Sequence, residues 1–449
     1  MRRILSAAEY ETVLRDLFSD DVRRAASAVV DAARELMECH GLDRAVILCD
    51  RPLEQIGALS ANMLGSSVAS LREDDLPDLS CSLVCDLLFA SADTEKREAW
   101  IRAMNECGCP VLSVGIPAGV DPDVGKVTSA AVNAQITVAP FAYLPGLFLR
   151  DGLDHCGMIR SFGLEQVTGE GIFRFEEADA RRLLPPRKRT AHKGDSGKAL
   201  LCVGSPRYAG AALLSARACL AAGCGILYVA CPDDVRPVLG RLPEAIGIPV
   251  GQDWDEESCR TAIRAMEGMK ALGIGCGVGS GDVSTLIQEA LRSRRPLVLD
   301  ADGLNCLSRH PELYPLLHDK AILTPHPGEM SRLTGMPADQ VAGDPISVAH
   351  RCACLWGCTV LLKGAATVVS DGQRTRIVAE GNAGLGKGGS GDALTGIITG
   401  LLSQGIEPYD AACLGSYLLG TSAERAFGLL KERMLRATNV IEALEDWNK

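Results

Sequence analysis

One stretch concentrates six glycines and a single acid: Gly381-Asn382-Ala383-Gly384-Leu385-Gly386-Lys387-Gly388-Gly389-Ser390-Gly391-Asp392. An apolar segment, Ala393 to Leu402, follows at once, with Gly396 and Gly400 four apart on one helical face. The pattern predicts a glycine-rich loop feeding a helix N-terminus. Such a loop presents free backbone N–H groups, and the helix dipole adds partial positive charge, which together suit a phosphate. A carboxylate at the mouth of that anion hole makes chemical sense as a base taking a proton from an attacking hydroxyl, so Asp392 is the candidate catalytic residue. The run Gly381 to Lys387 nearly spells a P-loop, but Gly388 stands where Ser or Thr is required. Gly384, Gly386 and Gly389 fit G-x-G-x-x-G, a weak signal alone. The bland alternative is a turn between a strand and a helix, though the glycine density exceeds ordinary turn needs.

Three apolar runs upstream each deliver a polar candidate at a strand's C-terminal end, where open parallel sheets bind ligands. Pro296 to Leu299 leads to Asp300 and Asp302, Ala321 to Thr324 to His326, and Thr359 to Leu362 to Lys363. His326, between Pro325 and Pro327, reads as a substrate contact. Lys363, before Gly364, reads either as a phosphate or nucleotide contact or as a solvated surface lysine. Asp300 and Asp302 either face a ligand or cap the helix after Gly303. Lys193, in His192-Lys193-Gly194-Asp195, is either a surface charge or part of a ligand-closing segment.

These candidates need a frame. Short apolar runs of buried-strand type alternate with helical segments in both halves, which predicts α/β architecture with two doubly wound, three-layer domains. In the first half, 1 to about 40 reads as helix, followed by strands at Ala45–Cys49, Leu83–Phe89, Pro110–Val114 and Ala134–Val138. A charged, proline-bearing stretch, Phe175 to Arg189, places a linker at about 170–190 and the domains at 1–170 and 190–449. The second half restarts with strands at Ala199–Val203, Ile226–Ala230 and Ala271–Ile274, and an alanine-rich helix from Gly210 to Ala222. The 449 residues suffice for two or three domains, and at 4% aromatic content the cores rest on aliphatic residues.

A net charge of −11 argues against nucleic acid or an acidic membrane as the main partner. No stretch reaches the ~20 apolar residues of a membrane helix, and Met1-Arg2-Arg3 is followed by polar residues rather than a secretory signal. The 18 cysteines include no C-x-x-C pair, so buried reduced thiols in a cytoplasmic protein are expected, and no metal centre.

The second half resembles the nucleotide-dependent NAD(P)H-hydrate dehydratases of the ribokinase-like superfamily. The matching blocks, in order over about 190–445, are His192-Lys193-Gly194-Asp195, Gly210-Ala211-Ala212, Gly275-Cys276-Gly277-Val278-Gly279, Leu299-Asp300-Ala301-Asp302, Thr324-Pro325-His326-Pro327-Gly328-Glu329, Lys363-Gly364-Ala365-Ala366-Thr367 and Gly388-Gly389-Ser390-Gly391-Asp392. The resemblance implies repair of NADH or NADPH hydrated on the nicotinamide ring (NADHX, NADPHX). The ring hydroxyl at C6 is phosphorylated from a nucleotide and phosphate then departs. It also implies that Ala211, Gly277, His326 and Asp392 line the hydrate site. Lys363, Gly364, Ala365, Ala366, Thr367 and Gly391 would hold the nucleotide, with Lys193 counted among them. ADP is the expected nucleotide, with magnesium. Departures are Cys276 and Ala383 where proline is usual or common, and Lys387 where threonine is common.

The first half is similar to the NAD(P)H-hydrate epimerase domain often fused to such enzymes. Val111 to Asp121 resembles a strand followed by Asp-Ile-Pro-Ser-Gly-x-Asp, and Asp86 matches an acid of that family's potassium site. The Asn-Asn-Gly-Gly-Asp-Gly loop is absent, with Cys49-Asp50-Arg51-Pro52-Leu53 in its place, and Gly115 and Ala118 replace the motif's acid and serine. A degenerate epimerase domain, its potassium site lost, is therefore expected, in a homo-oligomeric repair enzyme. The alternatives carried forward are a small-alcohol or sugar kinase on the same fold and a non-catalytic nucleotide-sensing scaffold.

Overall fold

The computed structural model describes residues 2–50, 53–70, 77–80, 82–89, 94–162, 171–184, 190, 196–428 and 432–446. His192 to Asp195, Lys193 included, lie outside the described residues, as do Arg51, Pro52 and Pro185 to Arg189. The chain divides into two compact units, Met1–Arg174 and Phe175–Lys449.

In the first unit, six parallel strands run in the order Ser67–Ser70, Ala45–Cys49, Leu83–Leu87, Val111–Val114, Ile136–Pro140 and Met158–Phe162. Every residue of the four strands from Ala45–Cys49 to Ile136–Pro140 is buried, which explains their unbroken apolar runs. The order reverses between Ala45–Cys49 and Leu83–Leu87, so the winding is double. The expected single helix over residues 1–40 is instead a strand, Arg2–Ile4, and two helices, Ala7–Arg15 and Ser19–His40. Ser6 and Glu9 form a capping box that starts the first helix. Arg2–Ile4 pairs antiparallel with Ile172–Arg174. That strand and the helix Glu177–Leu183 occupy the stretch expected to be linker, and the units divide between them.

The sheet of the second unit runs Thr375–Val378, Thr367–Ser370, Thr359–Leu362, Ala321–Leu323, Leu297–Leu299, Ala271–Ile274, Lys198–Cys202, Ile226–Cys231, Ala245–Pro249. From Thr359–Leu362 onward the pairing is parallel; the first two strands form an antiparallel hairpin on its flank. Ala245–Pro249 escapes sequence reading because it is a short, partly exposed edge strand interrupted by Gly247 and Pro249. Helices Ser390–Ser403 and Pro408–Phe427 share one apolar core with Ala271, Val298, Ile322, Leu361 and Val369 of the sheet. Helix Pro345–Trp356 packs on strands Thr359–Leu362 and Thr367–Ser370 with residues outside that core, which gives the third layer.

The paired glycines allow two helices of this unit to approach closely. A Cβ at Gly396 would lie 2.2 Å from the Ser215 carbonyl oxygen, and one at Gly400 would lie 2.6 Å from that of Cys219. Helices Ala209–Ala221 and Ser390–Ser403 therefore meet backbone to backbone. That contact fixes where the N-terminus of Ser390–Ser403 points. No described helix is long and apolar enough to cross a membrane.

Candidate active site

Helix Ser390–Ser403 starts after Gly389, which adopts a left-handed φ of 99°, and no side chain caps it. A Cβ at Gly388 would meet nothing within 4 Å, so the loop's outer side is open. The first turn thus presents backbone N–H groups without a side-chain cap at the place where the sequence suggests an anion hole. Asp392 sits in that first turn. Burial and then the nearby Asp300 carboxylate push its pKa up to about 6. Asp302 adds to the rise, while the Cys276 thiol and the Lys363 ammonium oppose it. A carboxylate tuned close to neutrality is a competent general base.

Asp300 is the hub beneath it. It is 2% exposed and leaves the end of strand Leu297–Leu299. It accepts hydrogen bonds from Lys363 Nζ at 2.7 Å, Thr324 Oγ1 at 2.8 Å and Thr395 Oγ1 at 3.0 Å, with the Cys276 thiol at 3.7 Å. Four strand ends, its own included, and helix Ser390–Ser403 therefore converge on one carboxylate. Its side chain does not cap the following helix. Asp302 begins that helix, Asp302–Arg309, and holds the Gly275–Gly279 loop by accepting from Gly279 N at 2.7 Å. Ala301, between the two acids, has φ 48° and ψ −115°, a costly conformation for a residue with a Cβ. The strain turns Asp300 inward while Asp302 faces the loop.

Lys363 Nζ also lies 3.6 Å from Glu329 Oε2. Burial works against its charge, but the Asp300 and Glu329 carboxylates outweigh it and hold its pKa above the usual lysine value. It is no solvated surface lysine. Its backbone N–H donates to Pro325 O at 2.8 Å, so the lysine strand and the histidine turn are tied together. Gly364, Ala365 and Ala366 turn the chain into strand Thr367–Ser370, with Ala366 O filling the space a Cβ on Gly364 would need. Gly391 lies over the pair: a Cβ there would be 3.4 Å from Asp300 Oδ2 and 3.7 Å from Lys363 Nζ.

His326 caps helix Pro327–Thr334. Its Nδ1 accepts from Gly328 N at 3.0 Å and Glu329 N at 3.4 Å, so the ring proton sits on Nε2, which is 3.5 Å from Glu329 Oε1. The half-exposed ring can donate to a ligand. Ala211 and Gly277 touch: a Cβ on Gly277 would lie 2.7 Å from that of Ala211. Cys276, next to Gly277, interacts with both Asp300 and Asp392, which joins this wall to the base.

Asp392, Gly391, Lys363 and the Asp300–Asp302 turn thus assemble at one edge of the sheet, with His326 tied in through Glu329. Lys387 does not act as a P-loop lysine: its Nζ donates to Arg433 O at 2.6 Å and Leu435 O at 2.8 Å, which pins the glycine loop. Sequence reasoning gave Glu329, Thr324 and Thr395 no role. Thr395 follows Asp392 by three residues, so helical spacing could have found it.

In the first unit, Asp86 is fully buried and accepts from Leu88 N at 3.1 Å, Ser113 Oγ at 2.8 Å and Ala118 N at 2.9 Å. Burial raises its pKa against these donors. Tyr10, also buried, packs against Phe89 at 5.5 Å and donates to Pro140 O.

A doubly wound sheet that aims an uncapped helix N-terminus and a tuned aspartate at the same edge defines a ribokinase-like enzyme. A ribokinase-like superfamily protein from Enterococcus faecalis V583 shares the fold, with a TM-score of 0.55 at 23% identity over 63% of this chain and 97% of its own. The ADP/ATP-dependent NAD(P)H-hydrate dehydratase from Bacillus subtilis, co-crystallised with ATP/Mg2+, has a TM-score of 0.55 at 30% identity, covering 61% of this chain and 96% of that one. The NAD(P)H-hydrate dehydratase family model matches residues 199–445, more than half of the chain, and that of the YjeF-related protein N-terminus matches 49–146. The bifunctional NAD(P)H-hydrate repair enzyme of Escherichia coli K12 is 31% identical over 410 residues, 88% of this chain and 77% of that protein. That of Moorella thermoacetica is 33% identical over 415 residues, 87% and 77%. The chain belongs to the NAD(P)H-hydrate dehydratase family, and it is an enzyme, a dehydratase.

Proposed function

We propose that the second unit dehydrates the S form of NADHX or NADPHX with ADP, giving NADH or NADPH, AMP and phosphate. The observation that carries this reading is Asp392, raised to a pKa of about 6 in the first turn of an uncapped helix. Asp392 takes the proton of the ring hydroxyl. The freed oxygen attacks the terminal phosphorus of ADP, and the bond to the AMP oxygen breaks. The C–O bond then breaks, phosphate leaves with that oxygen, a neighbouring ring carbon gives up a proton to the departing phosphate or water, and the double bond is restored. The N–H of Gly391, in the uncapped first turn, holds the transferred group as its charge develops.

Ala211, Gly277 and His326 line the hydrate side in this reading, with the His326 Nε2–H orienting the substrate. Lys363 to Thr367 and Gly391 serve the nucleotide; Lys193, outside the described residues, is assigned with them by resemblance. Magnesium in this reading arrives on the nucleotide's phosphates and keeps water in its coordination shell. Bound there, it would neutralise phosphate charge.

We also propose that residues 1–170 form an epimerase-like domain without epimerase activity, and 190–449 the dehydratase domain. The three donors on Asp86 support this, because they already take most of the acceptor positions of a carboxylate that a potassium ion would share. Cytoplasmic location fits the free thiols of the described cysteines, and homo-oligomerisation is testable by sedimentation. Incubating the full chain with hydrated NADH and ADP or ATP, while following reduced-ring absorbance and AMP, tests the activity. A stable phosphorylated product without NADH would refute dehydration. Rapid NADH formation from the pure R epimer would refute the inactive first domain.

A further inference from the structure

We propose a second, independent site on the dehydratase unit: a divalent transition-metal site of the zinc class, built from Asp282, Cys306 and His310. It lies outside the residues assigned to the reaction. The sequence gives no sign of it, because Asp282 stands 24 residues before Cys306 and no C-x-x-C pair marks it.

The fold brings the three together. Asp282 precedes helix Ser284–Arg292, Cys306 lies in helix Asp302–Arg309, and His310 is that helix's C-cap. Cys306 and His310 are four apart, so they share a helical face. Their ligand atoms and the Asp282 carboxylate oxygen all lie within 4.8 Å of one another. Cys306 Sγ is 3.6 Å and His310 Nε2 is 3.7 Å from Asp282 Oδ1. Ligands at about 2.0–2.3 Å from a tetrahedral ion stand roughly 3.3–3.8 Å apart, so the two pairs that include Asp282 already have that spacing, and the Cys306–His310 pair, within 4.8 Å, closes by rotation of the partly exposed imidazole. Thiolate, imidazole and carboxylate together favour zinc over magnesium or calcium.

The surroundings fit a metal ligand set. Glu312 Oε1 lies 2.9 Å from His310 Nδ1, the carboxylate–imidazole pairing that holds a proton on one ring nitrogen and frees the other for metal. Ser284 N holds Asp282 Oδ1 at 2.9 Å. The Asp282 side chain is 65% exposed and His310 27%, while Cys306 is buried, so an ion can enter from solvent and keep a water as fourth ligand. A second thiol, Cys259, points at the Asp282 carbonyl oxygen at 3.6 Å and belongs to the same corner without joining the set. An ion here would clamp the far end of the helix whose first residue, Asp302, holds the Gly275–Gly279 loop.

The test is a cobalt titration of the reduced full-length protein under anaerobic conditions. We expect one equivalent of tetrahedral cobalt with a sulfur-to-metal charge-transfer band, displaced by zinc. The band should disappear in C306S and in H310Q and persist in C259S. Zinc should raise the melting temperature of the wild type and not of H310Q. H310Q alters a partly exposed cap, so it decides the matter if C306S fails to fold, and circular dichroism verifies its structure. Absence of a tetrahedral spectrum in the wild type, or an unchanged band in a folded H310Q, would overturn the site.

Discussion

Lys363 Nζ lies 2.7 Å from Asp300 Oδ1, with the lysine side chain 21% and the aspartate side chain 3% exposed. The pair sits beneath the first turn of helix Ser390–Ser403, and Asp300 also raises the Asp392 pKa. Asp300→Asn removes one charge of a buried pair and should cost about 3 kcal/mol in denaturant unfolding. The same change should move the acid limb of the kcat/KM profile to lower pH, because the like charge beside Asp392 is gone.

Asp392 itself makes stability and activity depend on pH in opposite senses. Its folded pKa, about 6, lies above the ordinary carboxylate value of 3.8. Between these values the folded state binds more protons than the unfolded one, so stability falls as pH rises through the window. Activity should rise over the same range as the base ionises. Asp392→Asn should therefore unfold at higher denaturant concentration than wild type at pH 7, with the gap closing below about pH 4.

The glycine pair on helix Ser390–Ser403 is a packing requirement. Gly396→Ala would drive a Cβ to 2.2 Å from Ser215 O, costing ~1–3 kcal/mol or more by overpacking. A fall in melting temperature together with a raised KM for ADP is expected, since the displaced helix carries the anion-binding turn.

Lys387→Met separates two readings of the glycine loop. Lys387 binds the carbonyls of Arg433 and Leu435, so its loss should lower thermal stability while the slope of rate against ADP concentration changes little. A P-loop lysine would give the reverse.

The glycine loop, the strand ends and Lys363 were legible in the sequence because backbone-driven features leave local marks: glycine density, apolar runs, proline-braced turns. Asp300 was visible as an acid at a strand end, but its role as hub was not. That role depends on Thr324, Thr395 and Lys363 converging from three separate elements. The anchoring role of Lys387 was hidden for the same reason, since its partners lie 46 and 48 residues away. The exposed edge strand Ala245–Pro249 and the split of residues 1–40 were lost where periodicity is weak or a cap at Ser6 decides. Asp282, Cys306 and His310 share no sequence motif at all.

The central claim is that one carboxylate removes the proton that starts dehydration. The direct measurement is single-turnover NADH formation from the S-form hydrate with saturating ADP, comparing wild type with Asp392→Asn, alongside calorimetric ADP binding. A rate lower by roughly 10²–10⁴-fold, with ADP affinity retained, is the expected result. A variant that forms NADH at the wild-type rate would contradict it.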